Sequence, residues 1–358
     1  MGGAPHTAFR KGRPLRITRI LGATIATAAL TASLAACSAP DSAPAGDDTS
    51  ASAGDGFPVE VKHALGTTTI EKQPERVASI GWGNQDVALA LGIAPVGADD
   101  QTWSMDGSDG LGLYEWTTDA YTELGADEPV VFSTTDGIDF EAIADTTPDV
   151  IIAAYSGPTE EEYATLSEIA PTVAYPGVAW YTPWRDSVLV NSQALGLADE
   201  GEALVADLEK QIADATADKD FAGKSAAFLF LNAADLSTAS VYSTGDSRAA
   251  FLADLGFDVP AAAKEADEAG TFYLDISAEN VDKLADVDVI VSYGGPELLP
   301  ALQADPLWST LPAVQNGAVV AVGAGDDLSG AVSPTALSIP WMLDTYVGLL
   351  SDAVATAD

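Results

Sequence analysis

Five aromatic residues, Trp82, Trp103, Tyr155, Tyr242 and Tyr293, each follow a short apolar segment, and Trp180, Tyr181 and Trp184 with Arg185 form the densest aromatic cluster in the chain. Aromatic faces beside a few guanidinium groups suit a large, flat, partly apolar metal chelate, held by stacking and cation–π attraction. Each ring has a second use as core or rim packing, and the residue types alone leave both open. Beyond residue 36 the arginines are Arg76, Arg185 and Arg248. Arg76 opens an apolar run and reads as structural. Arg185 sits in the aromatic cluster, and Arg248 follows Gly245-Asp246-Ser247. A cation near a cleft attracts an anionic chelate locally, and the competing use is an ion pair with one of the 54 acids.

Other chemistries are poorly supplied. One Cys and two His exclude a disulfide framework, cysteine-based zinc or iron–sulfur sites and a His-rich metal cage. Asp99-Asp100 and the acids between Asp106 and Asp109 match no calcium loop and read as solvated loop faces. Gly245-Asp246-Ser247 resembles the nucleophile block of an esterase family, but a serine needs a base. The one histidine past the first residues, His63, lies in a polar entry segment, and no C-terminal Asp-x-x-His block exists. Catalysis is therefore not expected.

The chain has 358 residues, 47% hydrophobic and 19% charged, which fits two globular domains. A formal charge of −39 repels phosphate backbones and anionic headgroups, so nucleic acid is excluded as a partner. The acids are spread along the chain and read as a solubility or high-salt adaptation.

Residues 1–36 carry Arg10, Lys11, Arg13, Arg16 and Arg19 with no acid, then a small-residue apolar run, the form of a secretory signal peptide. The run ends Leu34-Ala35-Ala36-Cys37, which resembles the lipobox of bacterial lipoproteins, and it holds the chain's one Cys. Residues 37–56 then read as a lipidated Cys and a flexible linker, built from Ser, Ala, Pro, Gly and Asp. The expectation is anchorage by lipid alone to the outer face of the cytoplasmic membrane.

From Phe57 strand-like and helix-like segments alternate, the signal of α/β layers. Strands are expected at Arg76–Gly81, Pro148–Ala154, Ser225–Leu231, Val287–Tyr293 and Ala318–Val322. Helices are expected at Asn84–Leu91 (capped by Asn84), Asp139–Ala144, Thr159–Ile169, Pro183–Leu195, Ser247–Leu255 and Ser277–Leu284. Residues 199–220 carry Ala203, Leu204, Leu208, Ile212 and Ala215 at helical spacing with no Pro. The division is an N-terminal lobe over 57–198, an interdomain helix over 199–220 and a C-terminal lobe over 221–358.

Over nearly all of this region the sequence resembles the helical-backbone periplasmic-binding proteins, which serve ABC importers for iron-siderophore complexes, haem and cobalamin. The resemblance is carried by Thr69–Val77, Ala90–Gly97, Asp139–Ile143 with Thr147–Ile152, Leu166–Thr172, Ile276–Asn280 before Asp286–Ile290, and Asp305–Val314 before Gly317. It implies two Rossmann-like lobes joined by one long backbone helix, a ligand cleft between them, no intrinsic cofactor and no enzymatic activity. The implied cargo is a ferric siderophore, with preference for a near-neutral hydroxamate type over haem or cobalamin; a surface sensor or adhesin is the reading from another class. The cleft set is Trp82, Trp103, Tyr155, Trp180, Trp184, Arg185, Tyr242, Arg248 and Tyr293. The implied partner is an ABC permease dimer with its ATPase, met by a monomer through Glu141 and Glu279, one acidic knob per lobe. Replacing Cys37 by Ser should move the protein from the membrane fraction to the soluble fraction; unchanged partitioning sinks the anchor.

Overall fold

The computed structural model describes residues 56–101 and 112–357. Cys37 and Trp103 lie outside the described residues. The described chain opens on an antiparallel hairpin, β1 (Val59–His63) with β2 (Gly66–Ile70). Its alternation turns Val61, His63, Thr68 and Ile70 inward. His63 is therefore a structural residue, its Nε2 2.9 Å from the Thr68 hydroxyl, and burial lowers its pKa.

The first lobe follows: β3 (Val77–Ser79), α1 (Asn84–Ala90), β4 (Gly97–Asp99), α2 (Glu115–Leu124), β5 (Val130–Phe132), α3 (Phe140–Asp145), β6 (Val150–Ile152), α4 (Glu160–Ile169), β7 (Thr172–Val173) and α5 (Trp184–Ala194). The strands pair in the order β5-β4-β3-β6-β7, all parallel. Every residue of β3, β4, β6 and β7 is buried, as expected for a parallel sheet covered on both faces. Helix α4 begins with a capping box, the Thr159 hydroxyl accepting from Glu162 N at 3.2 Å while the Glu162 carboxylate accepts from Thr159 N at 2.7 Å. Asn84 does not cap α1, in contrast to the sequence expectation. Gly83 holds that position, and the Asn84 amide instead donates to the carbonyls of Ile80 and Tyr155, at 2.8 and 3.1 Å.

Helix α6 (Ala198–Thr216) carries the chain to the second lobe. Its 19 residues make a rod of about 28 Å. Then come β8 (Ala226–Asn232), β9 (Asp235–Tyr242), α7 (Ser247–Asp254), α8 (Ala261–Ala269), β10 (Tyr273–Ser277), β11 (Val289–Ser292), α9 (Leu298–Ala304), α10 (Pro312–Asn316), β12 (Val319–Ala321), α11 (Asp327–Ala331) and α12 (Ser338–Ala357). The sheet runs β10-β9-β8-β11-β12; β8, β11 and β12 are parallel, and β9 is antiparallel to both its neighbours. The segment Ala278–Leu284, expected as a helix from Ser277, is a 3₁₀ turn kinked at Asn280.

The lobes share one core. Trp82, Val87, Tyr114, Trp116, Trp184 and Val188 of the first lobe lie in the same buried cluster as Leu208 and Ile212 of α6, Phe228 and Phe251 of the second lobe, and Met342, Tyr346 and Leu350 of α12. At this waist Asp86 of α1 is 1% exposed. It accepts hydrogen bonds from Trp116 Nε1 at 2.9 Å and Thr117 Oγ1 at 2.7 Å within its own lobe, and from Thr335 Oγ1 just before α12. Burial raises its pKa from 3.8 to about 6, against the pull of those donors.

Two outcomes follow from this staple. Asp86→Ala leaves three buried donors without an acceptor and should cost roughly 2–4 kcal/mol in urea unfolding. A carboxyl whose folded pKa is raised contributes stability below its unfolded pKa and loses it as pH climbs to the folded one. Unfolding free energy should therefore fall between pH 3.8 and about 6, by on the order of 3 kcal/mol from this group. Asp86→Asn should flatten that part of the pH profile, and an unchanged slope overturns the assignment.

Candidate functional site

Trp82 follows β3 and Tyr155 follows β6, neighbouring strands of the first sheet, so both rings leave its carboxyl end, where ligands of open α/β sheets bind. With Trp180 they form one wall of a cavity of about 530 Å³, whose other wall is Tyr242, Arg248 and Phe272 of the second lobe. Five of the nine residues expected in a cleft therefore line one space. The Tyr155 hydroxyl lies 3.2 Å from Ser247 Oγ, and Trp82 Nε1 donates to the Ser333 carbonyl at 3.2 Å, so the cavity is bounded by hydrogen bonds across the lobes. Burial, then the nearby Asp246 carboxylate, pushes the Tyr155 phenol up to about 12, leaving a neutral hydroxyl at physiological pH.

Trp180 is 48% exposed at the cavity mouth, its backbone held in the left-handed region at φ 58°. Its indole crosses Gly157, where a Cβ would lie 2.2 Å from Nε1. Only glycine admits that crossing.

Arg248 is stacked on Tyr242, its guanidinium carbon 4.1 Å from the ring centroid, and donates to Tyr293 Oη at 2.8 Å. Its Nε and Nη2 donate to Asp246 at 2.8 and 2.5 Å. Burial alone lowers the pKa of this guanidinium, and the Asp246 carboxylate more than offsets that, holding it well above the ordinary value. The cation of the wall is thus paired within the protein, and the cleft gains a hydrogen-bonding edge with little net charge. Tyr293 stands behind Arg248 and lines an adjoining space with Phe230 and Gly294.

Trp184 and Arg185 stand elsewhere. Trp184 is 3% exposed in the waist core, donating from Nε1 to Asp254 Oδ2 at 2.9 Å. Arg185 pairs with Asp254 at 2.8 Å and Glu209 at 2.7 Å, tying α5 to α7 and α6. The dense aromatic cluster is split by the turn into α5: Trp180 faces the cavity, while Trp184 and Arg185 face the joint between lobes.

Gly245-Asp246-Ser247 is accounted for without a nucleophile. The Tyr181 ring packs across Gly245, where a Cβ would come within 1.2 Å of Cζ. Asp246 caps α7 and holds Arg248, and Ser247 meets Tyr155. Glu141 and Glu279 are exposed in the first turns of α3 and of the 3₁₀ segment.

The sequence reading missed Asp99. Expected as a solvated loop face, it is 8% exposed at the end of β4 and lines two further cavities with Gly81, Thr134 and Trp180. Burial raises its carboxyl to about 7, and Asp100 adds to the shift while the Gly81 N–H opposes it. The signal available in the sequence was its place directly after Val96-Gly97-Ala98, the same carboxyl-end rule that selected Trp82.

Compared with known proteins, residues 77–324 match the periplasmic binding protein family. The chain is similar in structure to PiaA of Streptococcus pneumoniae TIGR4 in complex with ferrichrome, with TM-score 0.79 and 41% identity over 84% of this chain and 100% of that one. It is 29% identical to the Fe(3+)-citrate-binding protein YfmC of Bacillus subtilis, over 71% of this chain and 75% of that one. It is 33% identical to the probable siderophore-binding lipoprotein YfiY of the same organism, over a stretch that spans 43% of either chain.

The two arginine pairs separate experimentally. Arg185→Ala removes a half-exposed pair and should lower unfolding free energy by about 1 kcal/mol. Arg248→Ala strands the buried Asp246 carboxylate and should cost roughly 3–5 kcal/mol. Equal costs in urea denaturation contradict the split.

Proposed function

Because the chain belongs to the periplasmic binding protein family, we propose that it is the extracytoplasmic receptor of an ABC importer, capturing a ferric siderophore and handing it to the permease without covalent chemistry. The observation that carries this reading is the aromatic cavity between the lobes, in which Trp82, Tyr155, Trp180 and Tyr242 surround an arginine already paired with Asp246. Rings and hydrogen-bonding edges without net positive charge suit a near-neutral hydroxamate chelate better than a polyanionic one. The ferrichrome complex of PiaA, at 41% identity, supports the same class. Cys37 as lipid anchor, the 57–198, 199–220 and 221–358 division and a monomeric working state belong to this proposal.

Glu141 and Glu279 complete it as docking points. Each is exposed near the start of a short helical segment, one on each lobe. A two-fold permease can read such a two-point charge pattern through arginine pockets.

Calorimetric titration tests the cargo. Ferrichrome should bind, Trp180→Ala should weaken it about tenfold or more, and haem and cobalamin should bind far more weakly. Tighter binding of either of those two reassigns the cargo. Glu141→Ala with Glu279→Ala should abolish uptake by cells and leave the ferrichrome affinity in solution unchanged. Persistent uptake removes the docking role.

A further inference from the structure

Beside the interlobe cavity the first lobe carries two more, of about 390 and 240 Å³, which share Gly81, Asp99, Thr134 and Trp180. Among the described residues the charged ones on their walls are Asp99, Asp100 and Glu162. Two of these acids have other work. The Glu162 carboxylate accepts from the backbone N–H and hydroxyl of Thr159, at 2.7 and 2.9 Å. Asp100 accepts from the backbone N–H and hydroxyl of Thr134, at 3.1 and 2.8 Å.

Asp99 differs from both. It is 92% buried, since 8% is exposed, and its Oδ2 accepts from Gly81 N at 2.7 Å. Among the described residues nothing donates to Oδ1. The other deeply buried carboxylates among the described residues are matched: Asp86 takes three side-chain donors, and Asp246 takes a guanidinium. A carboxylate has room for about four hydrogen bonds, and leaving it dry with one is costly. Once a ligand fills the cavity and excludes solvent, that oxygen requires a donor from the ligand. Its position beside Trp180, the ring shared by all three cavities, puts the requirement at the edge of the cleft rather than at its centre.

We propose that Asp99 selects among cargoes by binding a protonated amine carried on the organic frame of the ferric chelate. This rests on the receptor reading above. The iron centre stacks among the rings, and the periphery of the chelator reaches Asp99.

A pair of probes differing in that group alone tests it: ferrioxamine B, a linear trihydroxamate with a terminal ammonium, and its N-acetylated form, which is neutral, with ferrichrome as reference. Titrations run at pH 8, above the value of about 7 at which Asp99 ionises. The wild type should bind the ammonium form about tenfold or more tighter than the acetylated form, the range of a charge-assisted hydrogen bond. Asp99→Asn should bring the two within about threefold. A preference that survives in Asp99→Asn reports the negative field of the whole protein and overturns the assignment. Equal binding by the wild type overturns it too, while ferrichrome binding keeps the receptor reading standing. If none of the three chelates binds, both readings fall.

Discussion

The apolar waist between the two sheets is the constraint on which the other features depend. Large side chains from α1, α2 and α5 share a single core with α6, α7 and α12, and each such side chain taken out of water is worth about 1.5–3 kcal/mol. Swinging the lobes wide open would expose several of them at once and would break the Asp86–Thr335 and Arg185–Asp254 contacts. The two walls of the cleft therefore resist wide separation. Rings such as Tyr155 and Trp82 are fixed by hydrogen bonds across the seam, which lowers the ordering cost at the moment of capture.

Charge at the cleft is managed differently from charge over the molecule as a whole. The chain carries 54 acids against 15 lysines and arginines. Beyond about 8–10 Å salt screens that excess, so a cargo inside the cavity meets chiefly the groups on its walls. There the Arg248–Asp246 pair cancels itself while keeping planar N–H groups beside Tyr242 and Tyr293. Such a wall recognises shape and hydrogen-bonding pattern more than it recognises net charge.

Much of this architecture was legible in the sequence, and the limits have physical causes. Strands β3, β6 and β11 read clearly because fully buried parallel strands need unbroken apolar runs, and β8 read clearly through its buried apolar stretch Ala226–Leu229. Helix α4, expected over Thr159–Ile169, opens with reciprocal capping between Thr159 and Glu162, an interaction that is purely local. Helix α12 passed unnoticed because nine of its residues are buried against several elements, which blurs the one-sided periodicity of a surface helix. The site was less legible than the fold. Trp180 and Trp184 are four residues apart, yet the turn at Trp180 sends one indole to the cavity and the helix buries the other. Residue type and density carry no information about that divergence. Asp99 was hidden for a related reason: its burial and its bond to Gly81 are made by chain 18 residues away.

The position of α12 reaches into how the protein comes into being. Met342, Tyr346, Leu350 and Val354 complete the waist from α12, which follows every other described element in the chain, so the joint cannot close while those residues are still being made. Each half has a sheet and a core of its own, but the fastening between them waits for α12. A chain threaded lengthwise through a pore, amino end first, would emerge with its two halves still unclasped, and the clasp would snap shut only as the twenty residues of α12 arrived on the far side. Late closure of this kind keeps a tightly jointed receptor compatible with passage in an extended form.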